Sequence, residues 1–187
     1  MHACADSVRL LTLATGVAVA LALPAQAKTA RHDATEKAMR GPVATTFGQN
    51  YSTGTIVISL SQRRLYLITG EDTAIKYPVA VGRAGKAWTG TAYVRGKFVR
   101  PDWMPPAVVK KDNPKLPDLI PGGTPGNPMG ERALTLDLEE IAIHGTAQSM
   151  RKSIGTAASY GCIRMLNEDV VDLFDRVRVG TPVVAIR

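Results

Sequence analysis

Thr55-Ile56-Val57-Ile58-Ser59-Leu60-Ser61-Gln62-Arg63-Arg64-Leu65-Tyr66-Leu67-Ile68 is the stretch that decides the fold class. Ile56, Ile58 and Leu60 alternate with Val57 and Ser59, which is the period of a strand. Ser61 to Arg64 is a polar break. Leu65 to Ile68 then returns as a second run of strand length, so the two pair as a hairpin. Working outward, Gly70-Glu71-Asp72 reads as a turn and Ala74 to Val81 as a third strand, ended by Gly82. A further strand is expected around Thr91–Val94, among Gly85, Gly90 and Gly96.

Pro101 to Pro128 holds eight of the twelve prolines, a density that forbids long regular structure. A loop of this length is either an ordered functional excursion or an inert surface segment. Trp103 and Leu116 argue for packing, and the excursion is read as walling or capping a cleft. Beyond it, Ala133 to Leu138 alternates as a strand, Glu139-Glu140 turns, and Ile141-Ala142-Ile143 runs into His144. Asn167-Glu168-Asp169 opens a helix, with Asn167 expected as the cap and the two acids at the positive end of the dipole. Val170, Leu173, Phe174 and Val177 form one apolar face, and Gly180 is the expected stop. Thr181 to Ile186 closes the chain as a strand. The expectation is six to eight strands and one helix: a mainly β domain with the helix packed on a sheet or sandwich.

The first residues have a different composition. Arg9 precedes the apolar run Leu10–Leu23, followed by Pro24 and Ala25-Gln26-Ala27. A positive start, a short apolar stretch and small residues before the cut read as a cleaved secretory signal, residues 1–27; the alternative is an uncleaved anchor. Residues 28–53 mix small and charged residues without period and are expected to be a linker, with a short helix possible at Ala34–Met39. The folded domain is expected over 54–187. The chain carries a net charge of +7, and because Arg9 and Asp6 cancel, the part after Ala27 keeps all of it. Such a surface suits an anionic partner or simply aids solubility, and no nucleic-acid module is visible.

The chemistry-bearing residues are few. Cys4 is expected to leave with the signal, which makes Cys162 the lone cysteine of an exported domain, unable to form an intramolecular disulfide. His144 stands eighteen positions before it and is the only histidine of the folded part. A thiol is nucleophilic as thiolate, and an imidazole in reach either removes its proton or already holds it as an ion pair. Asp137, Glu140 or a backbone carbonyl would fix the imidazole tautomer. The Tyr160-Gly161-Cys162 turn offers N–H donors for an oxyanion. Arg164 falls on the face of Cys162 if the stretch is extended, where it would bind a substrate carboxylate or form a structural ion pair. One His and one Cys do not make a metal site. Gly82-Arg83-Ala84-Gly85-Lys86 lacks the rest of a phosphate loop.

Taken in order, Ile58 to Tyr66, Tyr77-Pro78-Val79-Ala80-Val81-Gly82, Asn127-Pro128-Met129-Gly130, Ile143-His144-Gly145-Thr146 and Ser159-Tyr160-Gly161-Cys162-Ile163-Arg164-Met165 resemble the L,D-transpeptidase (YkuD-like) catalytic domain over about Thr55 to Arg187. The resemblance implies a β-sandwich-like fold with the cysteine in a cleft under a loop. It also implies acyl transfer on peptidoglycan stem peptides through a cysteine thioester, with terminal D-Ala expelled and an amine as acceptor. That amine belongs to another stem, a free D-amino acid or an outer-membrane protein or lipoprotein. Cys162 matches the nucleophile, His144 its base and Gly145 the carbonyl that orients His144. Gly161 and Cys162 match oxyanion donors, and Ser159, Tyr160, Arg164 and Trp103 stand on the substrate side. Carbapenems are expected to acylate Cys162, no cofactor, metal or nucleic acid is expected, and the compartment is the periplasm. Two departures stand out: Tyr160 occupies the place of a frequent second histidine, and Trp88-Thr89-Gly90 lacks a common proline. An L,D-carboxypeptidase of the same fold, a general cysteine peptidase and a non-catalytic wall-binding protein are the competing readings.

Overall fold

The computed structural model describes residues 42–48 and 50–187. The expected signal peptide, Cys4, His32 and the possible helix at Ala34–Met39 lie outside the described residues. The described chain opens with β1 (Val43–Thr46), inside the stretch expected to be a linker. β2 (Ile56–Ser59) and β3 (Arg64–Gly70) form the expected antiparallel hairpin, with Ile56 opposite Leu67 and Ile58 opposite Leu65. Arg63 turns the corner with φ 55°. β4 (Thr73–Gly82) and β5 (Gly90–Val99) follow. A short helix, α1 (Ala107–Asp112), lies in the proline-rich excursion. Then come β6 (Arg132–Leu136), β7 (Ala142–His144), β8 (Ala157–Ser159) and β9 (Ile163–Met165). α2 (Asn167–Arg176) and β10 (Pro182–Ile186) end the chain.

The strands form one mixed sheet in the order β1-β4-β3-β2-β10-β5-β6-β7-β9, and β9 pairs back onto β4. This return closes the sheet into a barrel-like sandwich. β4 makes closure possible because it is long. Its first part pairs with β1 and β3, and its second part pairs with β8 and β9. Parallel pairings at β2–β10, β7–β9 and β4–β8 interrupt an otherwise antiparallel ring.

The interior is aliphatic, as the scarcity of aromatics requires. Ile56, Ile58, Leu65, Val79, Leu134, Ile143 and Ile163 are fully buried in it, and Val170 and Leu173 of α2 complete it. The alternation of β2 hides a second burial. Val57, on the opposite face from Ile56 and Ile58, packs with Tyr66, Ile68 and Ala74 in a smaller outer cluster. Phe47 and Tyr51 lie over that cluster, with the Phe47 ring 4.7 Å from Tyr66 and 6.0 Å from Tyr51. Apolar cover of this kind is what draws β1 onto β4, and a polar composition in the preceding residues masked it from sequence reading.

α2 departs from expectation at both ends. Leu166, not Asn167, is the N-cap, and no side chain caps it. Asn167 is instead recruited by tertiary structure: its Oδ1 accepts the N–H groups of Glu131 and Thr146 at 3.1 and 3.0 Å, and its Nδ2 donates to Thr146 O at 3.0 Å. The helix stops at Arg176, before Gly180, where Val177 turns extended, and Lys97 Nζ from β5 donates to Phe174 O and Val177 O at 2.6 Å each. A cation at the negative end of the dipole satisfies the last carbonyls there. Tyr77 donates its hydroxyl to Asp172 at 2.6 Å, tying α2 to β4.

Candidate active site

β7 and β9 are adjacent and parallel, with Ile143 opposite Ile163 and His144 opposite Arg164. Side chains alternate along a strand, so Ala142 and His144 project to the face that Arg164 and the preceding Cys162 share. The sheet register thereby brings the two sequence-distant residues to one cleft, of about 1270 Å³, lined also by Arg164, Tyr160, Trp103 and Ile141.

Cys162 follows a turn with strict shape. Gly161 has φ 132°, and a Cβ there would stand 2.6 Å from Ile141 Cδ1. Ser159, buried, staples the turn: its hydroxyl accepts Gly161 N–H at 3.1 Å and donates to Cys162 O at 2.6 Å. Gly161 N–H, expected as an oxyanion donor, is thus engaged by the Ser159 hydroxyl in this structure. The thiol donates to Glu140 O at 3.4 Å. Glu140 presents that carbonyl from a left-handed conformation, φ 58°. Burial is the main influence on the thiol and pushes its pKa up, and the nearby Glu140 carboxylate acts in the same direction. The Ala142 and Cys162 amides and the Arg164 guanidinium oppose it without reversing the shift.

His144 is buried, and its Nδ1 lies 2.7 Å from Gly145 O. A carbonyl only accepts, so Nδ1 carries the proton and Nε2 keeps its lone pair. Of the orienting groups the sequence left open, a backbone carbonyl holds the ring. Asp137 is occupied elsewhere, accepting Tyr93 N–H at 2.8 Å. A Cβ at Gly145 would lie 2.2 Å from Asn167 Oδ1, so a side chain there would displace the Asn167 amide. Burial lowers the His144 pKa to about 4, with the Arg164 charge adding to the fall and the Gly145 and Pro128 carbonyls opposing it. Burial thus favours the uncharged form of both the thiol and the imidazole.

Arg164 is half-buried in the cleft, and its guanidinium makes no ion pair or hydrogen bond among the described residues; burial lowers its pKa. A desolvated guanidinium without a carboxylate partner is a strong attractor for a substrate carboxylate.

The proline-rich excursion forms the opposite wall. Trp103 and Ile120 exchange backbone hydrogen bonds at 2.9 and 2.8 Å. Buried Asn127 donates through Nδ2 to Pro101 O, Ile120 O and Pro121 O at 2.9, 3.0 and 3.2 Å. Asp102 accepts Gly122 N–H at 2.7 Å. These bonds order the excursion's two feet, and Trp103 stands in the cleft wall. Sequence reading missed three participants: the Glu140 carbonyl, the Asn127 clasp, and Asp112 at the end of α1. Asp112 accepts the Tyr160 hydroxyl at 2.6 Å and Arg83 Nη2 at 2.9 Å. Of these, only Asn127 carried a signal, in the Pro-Gly-Asn-Pro run that closes the excursion. Among the described residues, no group of three or more His, Cys, Asp or Glu side chains comes together as a metal cluster.

A family model for the L,D-transpeptidase catalytic domain (YkuD) matches residues 53–184. The chain belongs to this family. It is 39% identical over 137 residues to the probable L,D-transpeptidase YbiS of Escherichia coli K12, across 68% of this chain and 43% of that protein. The chain thus spans less than half the length of this curated relative. A solved Brucella melitensis structure, named a probable carnitine operon oxidoreductase, is 41% identical with a TM-score of 0.52, covering 79% of this chain and 94% of that one. Its name differs from the others although its fold agrees. L,D-transpeptidase 3 from Mycobacterium tuberculosis, solved with a faropenem-derived adduct, has a TM-score of 0.55 at 16% identity, over 79% and 61% of the two chains. At that identity the likeness is one of fold.

Proposed function

We propose that this chain is an exported cysteine L,D-transpeptidase acting on peptidoglycan stem peptides. One observation carries the reading: Cys162 and His144 share a face of neighbouring parallel strands in one cleft, beside the unpartnered Arg164. His144 Nε2 takes the thiol proton as Sγ attacks the carbonyl of the third stem residue, a diaminopimelate. The oxyanion forms against the Cys162 amide. Collapse breaks the amide bond, and the imidazolium returns its proton to the departing D-Ala amine, leaving a thioester. An acceptor amine then attacks, gives its proton to Nε2 and expels the thiolate, which recovers the proton. Atoms balance over the cycle without an external reductant or oxidant. Arg164 binds a stem carboxylate, and Trp103 lies along the peptide from the opposite wall.

Sulfur must travel from the Glu140 carbonyl towards His144 for the first proton transfer, a rotation about the Cys162 side chain. A neutral resting pair makes His144 a general base during attack. Residues 1–27 act as the export signal, which places the reaction in the periplasm, where the anionic wall meets the positive net charge. The acceptor is a second stem, a D-amino acid or an amine of an outer-membrane protein or lipoprotein. A carbapenem or penem acylates Cys162.

The test is incubation of the purified chain with diaminopimelate-containing disaccharide-tetrapeptide, with products read by liquid chromatography and mass spectrometry. Dimers that have lost one D-Ala, absent with Cys162→Ala, are the expected result. Tripeptide alone would make water the acceptor and the enzyme an L,D-carboxypeptidase. No thioester adduct with a penem in intact-mass spectra would overturn the nucleophile assignment.

A further inference from the structure

α1 spans Ala107–Asp112 over the cleft and buries none of its residues. Its companions in the excursion are held differently: the two feet are clasped by Asn127, by the Trp103–Ile120 pairing and by Asp102. Lys110 pairs with Asp118 inside the excursion and so contributes no tie to the barrel. The described polar ties from α1 to the barrel converge on one carboxylate. Asp112 Oδ2 accepts the Tyr160 hydroxyl at 2.6 Å and Arg83 Nη2 at 2.9 Å. The guanidinium of Arg83 also lies 4.0 Å above the centre of the Tyr160 ring.

Arg83 and Tyr160 form a rigid dock because the backbone already joins their segments. Arg83 N–H donates to Ser159 O at 3.0 Å, and Ser159 staples the turn that carries Tyr160 and Cys162. Asp112 is the bolt that enters this dock from the roof. Tyr160 sits where the resemblance would put a second histidine, and its phenol extends further than an imidazole, with a hydroxyl at the far end.

We propose that Tyr160, Arg83 and Asp112 form a latch that holds α1 down on the nucleophile turn, with Tyr160 as a positioning residue that sets the height of the cleft roof beside Cys162. The latch is polar and solvent-exposed, with Arg83 and Asp112 side chains 44% and 42% accessible. It is therefore weak enough to open and close during turnover. An extended peptide passes beneath a closed roof, and a branched product leaves beneath a raised one. The inference rests on Cys162 being the reacting group and not on which acceptor it serves.

The experiment compares the full chain with Tyr160→Phe, Asp112→Asn and the double variant. Cys162 alkylation by iodoacetamide is followed at the peptide level, which separates it from Cys4. Hydrogen exchange is followed over 107–112. Each single variant should label Cys162 about two- to fivefold faster, as expected for loss of an exposed polar tie. Exchange over 107–112 should rise, and the thermal midpoint should stay put. The double variant should equal Asp112→Asn, because the tie that Tyr160→Phe removes ends on the same carboxylate, while Tyr160→Phe alone keeps the Arg83–Asp112 pair and should show the smaller effect. A purely structural tyrosine would leave labelling and exchange unchanged in Tyr160→Phe. That result, or additive effects in the double variant, overturns the latch. Alkylation needs only a reachable thiol, so an inactive but latched protein would refute the transpeptidase reading and leave this inference standing.

Discussion

The two walls of the cleft are built on opposite physical plans. The wall that carries Cys162 and His144 is sheet. Each of its strands has partners on both sides, and its inward side chains are fully buried. The wall that carries Trp103 and α1 is a proline-rich excursion held by side-chain clasps and exposed ion pairs. Catalytic groups need fixed distances, and a closed ring of strands supplies them at high local stability. On the proposed function, a roof over a polymeric substrate must yield, and proline stiffens a segment without committing it to a ladder of backbone bonds. The contrast teaches that sheet pairing is concentrated behind the proposed reacting pair, and side-chain clasps and exposed ion pairs are kept to the opposite side.

The sharpest way to break that contrast is to alter each wall and measure acylation. His144→Ala should slow Cys162 acylation by a penem by roughly 100-fold or more, the scale of losing a general base. Trp103→Ala should cost about tenfold or less, seen as weaker binding. Equal losses in stopped-flow traces would show that the excursion takes part in the chemistry. The acid limb of the rate should fall near pH 4, since a neutral His144 persists down to its lowered pKa. A limb near 6.5 would mean the imidazole is solvated in the working enzyme.

Stability separates the walls next. Asn167→Ala strands Glu131 N–H, Thr146 N–H and Thr146 O behind the sheet wall. It should destabilise the whole domain by about 3 kcal/mol in urea titrations. Buried Asp169, in the first turn of α2, has neither carboxylate oxygen hydrogen-bonded among the described residues, and burial raises its pKa to about 7. A raised carboxyl pKa means the folded state holds the proton longer than the unfolded state does. The cost of charging Asp169 therefore builds as pH rises from about 4 to about 7 and is constant above. Asp169→Asn should stabilise the protein at pH 8 by about 2 kcal/mol, with a smaller gain at pH 5. A pH-independent difference would place a partner on that carboxylate. Smallest in global terms is Asn127→Ala, about 1 kcal/mol by thermal unfolding. Its main effect should be local, as faster hydrogen exchange confined to 101–128. Exchange that spread into β7 and β9 would mean the walls are one cooperative unit.

Much of the frame was legible because the hairpin, β4, β6 and β10 are apolar runs of strand length bounded by turn residues, and β7 is the apolar lead into His144. β1 was not, because a four-residue edge strand has little pattern of its own and is held by Phe47 and Tyr51 covering a distant cluster. Short β8 and β9 escaped for the same reason: three residues each carry no period. Gly161, Gly145 and the Ser159 staple could be anticipated as residue types near a nucleophile. The engagement of Gly161 N–H by Ser159 could not, since it depends on one side-chain rotamer.

Residue chemistry and local pattern alone determined a mainly β domain, a lone Cys–His pair and an amphipathic final helix, because those follow from side-chain type and spacing of a few residues. Tertiary structure alone decided that β9 closes on β4 and that Asn167 clasps loops instead of capping its helix. It also decided that Asp112 meets Tyr160. Each of these joins residues far apart in the chain through hydrogen bonds whose partners are chosen by register and packing, which no local window contains.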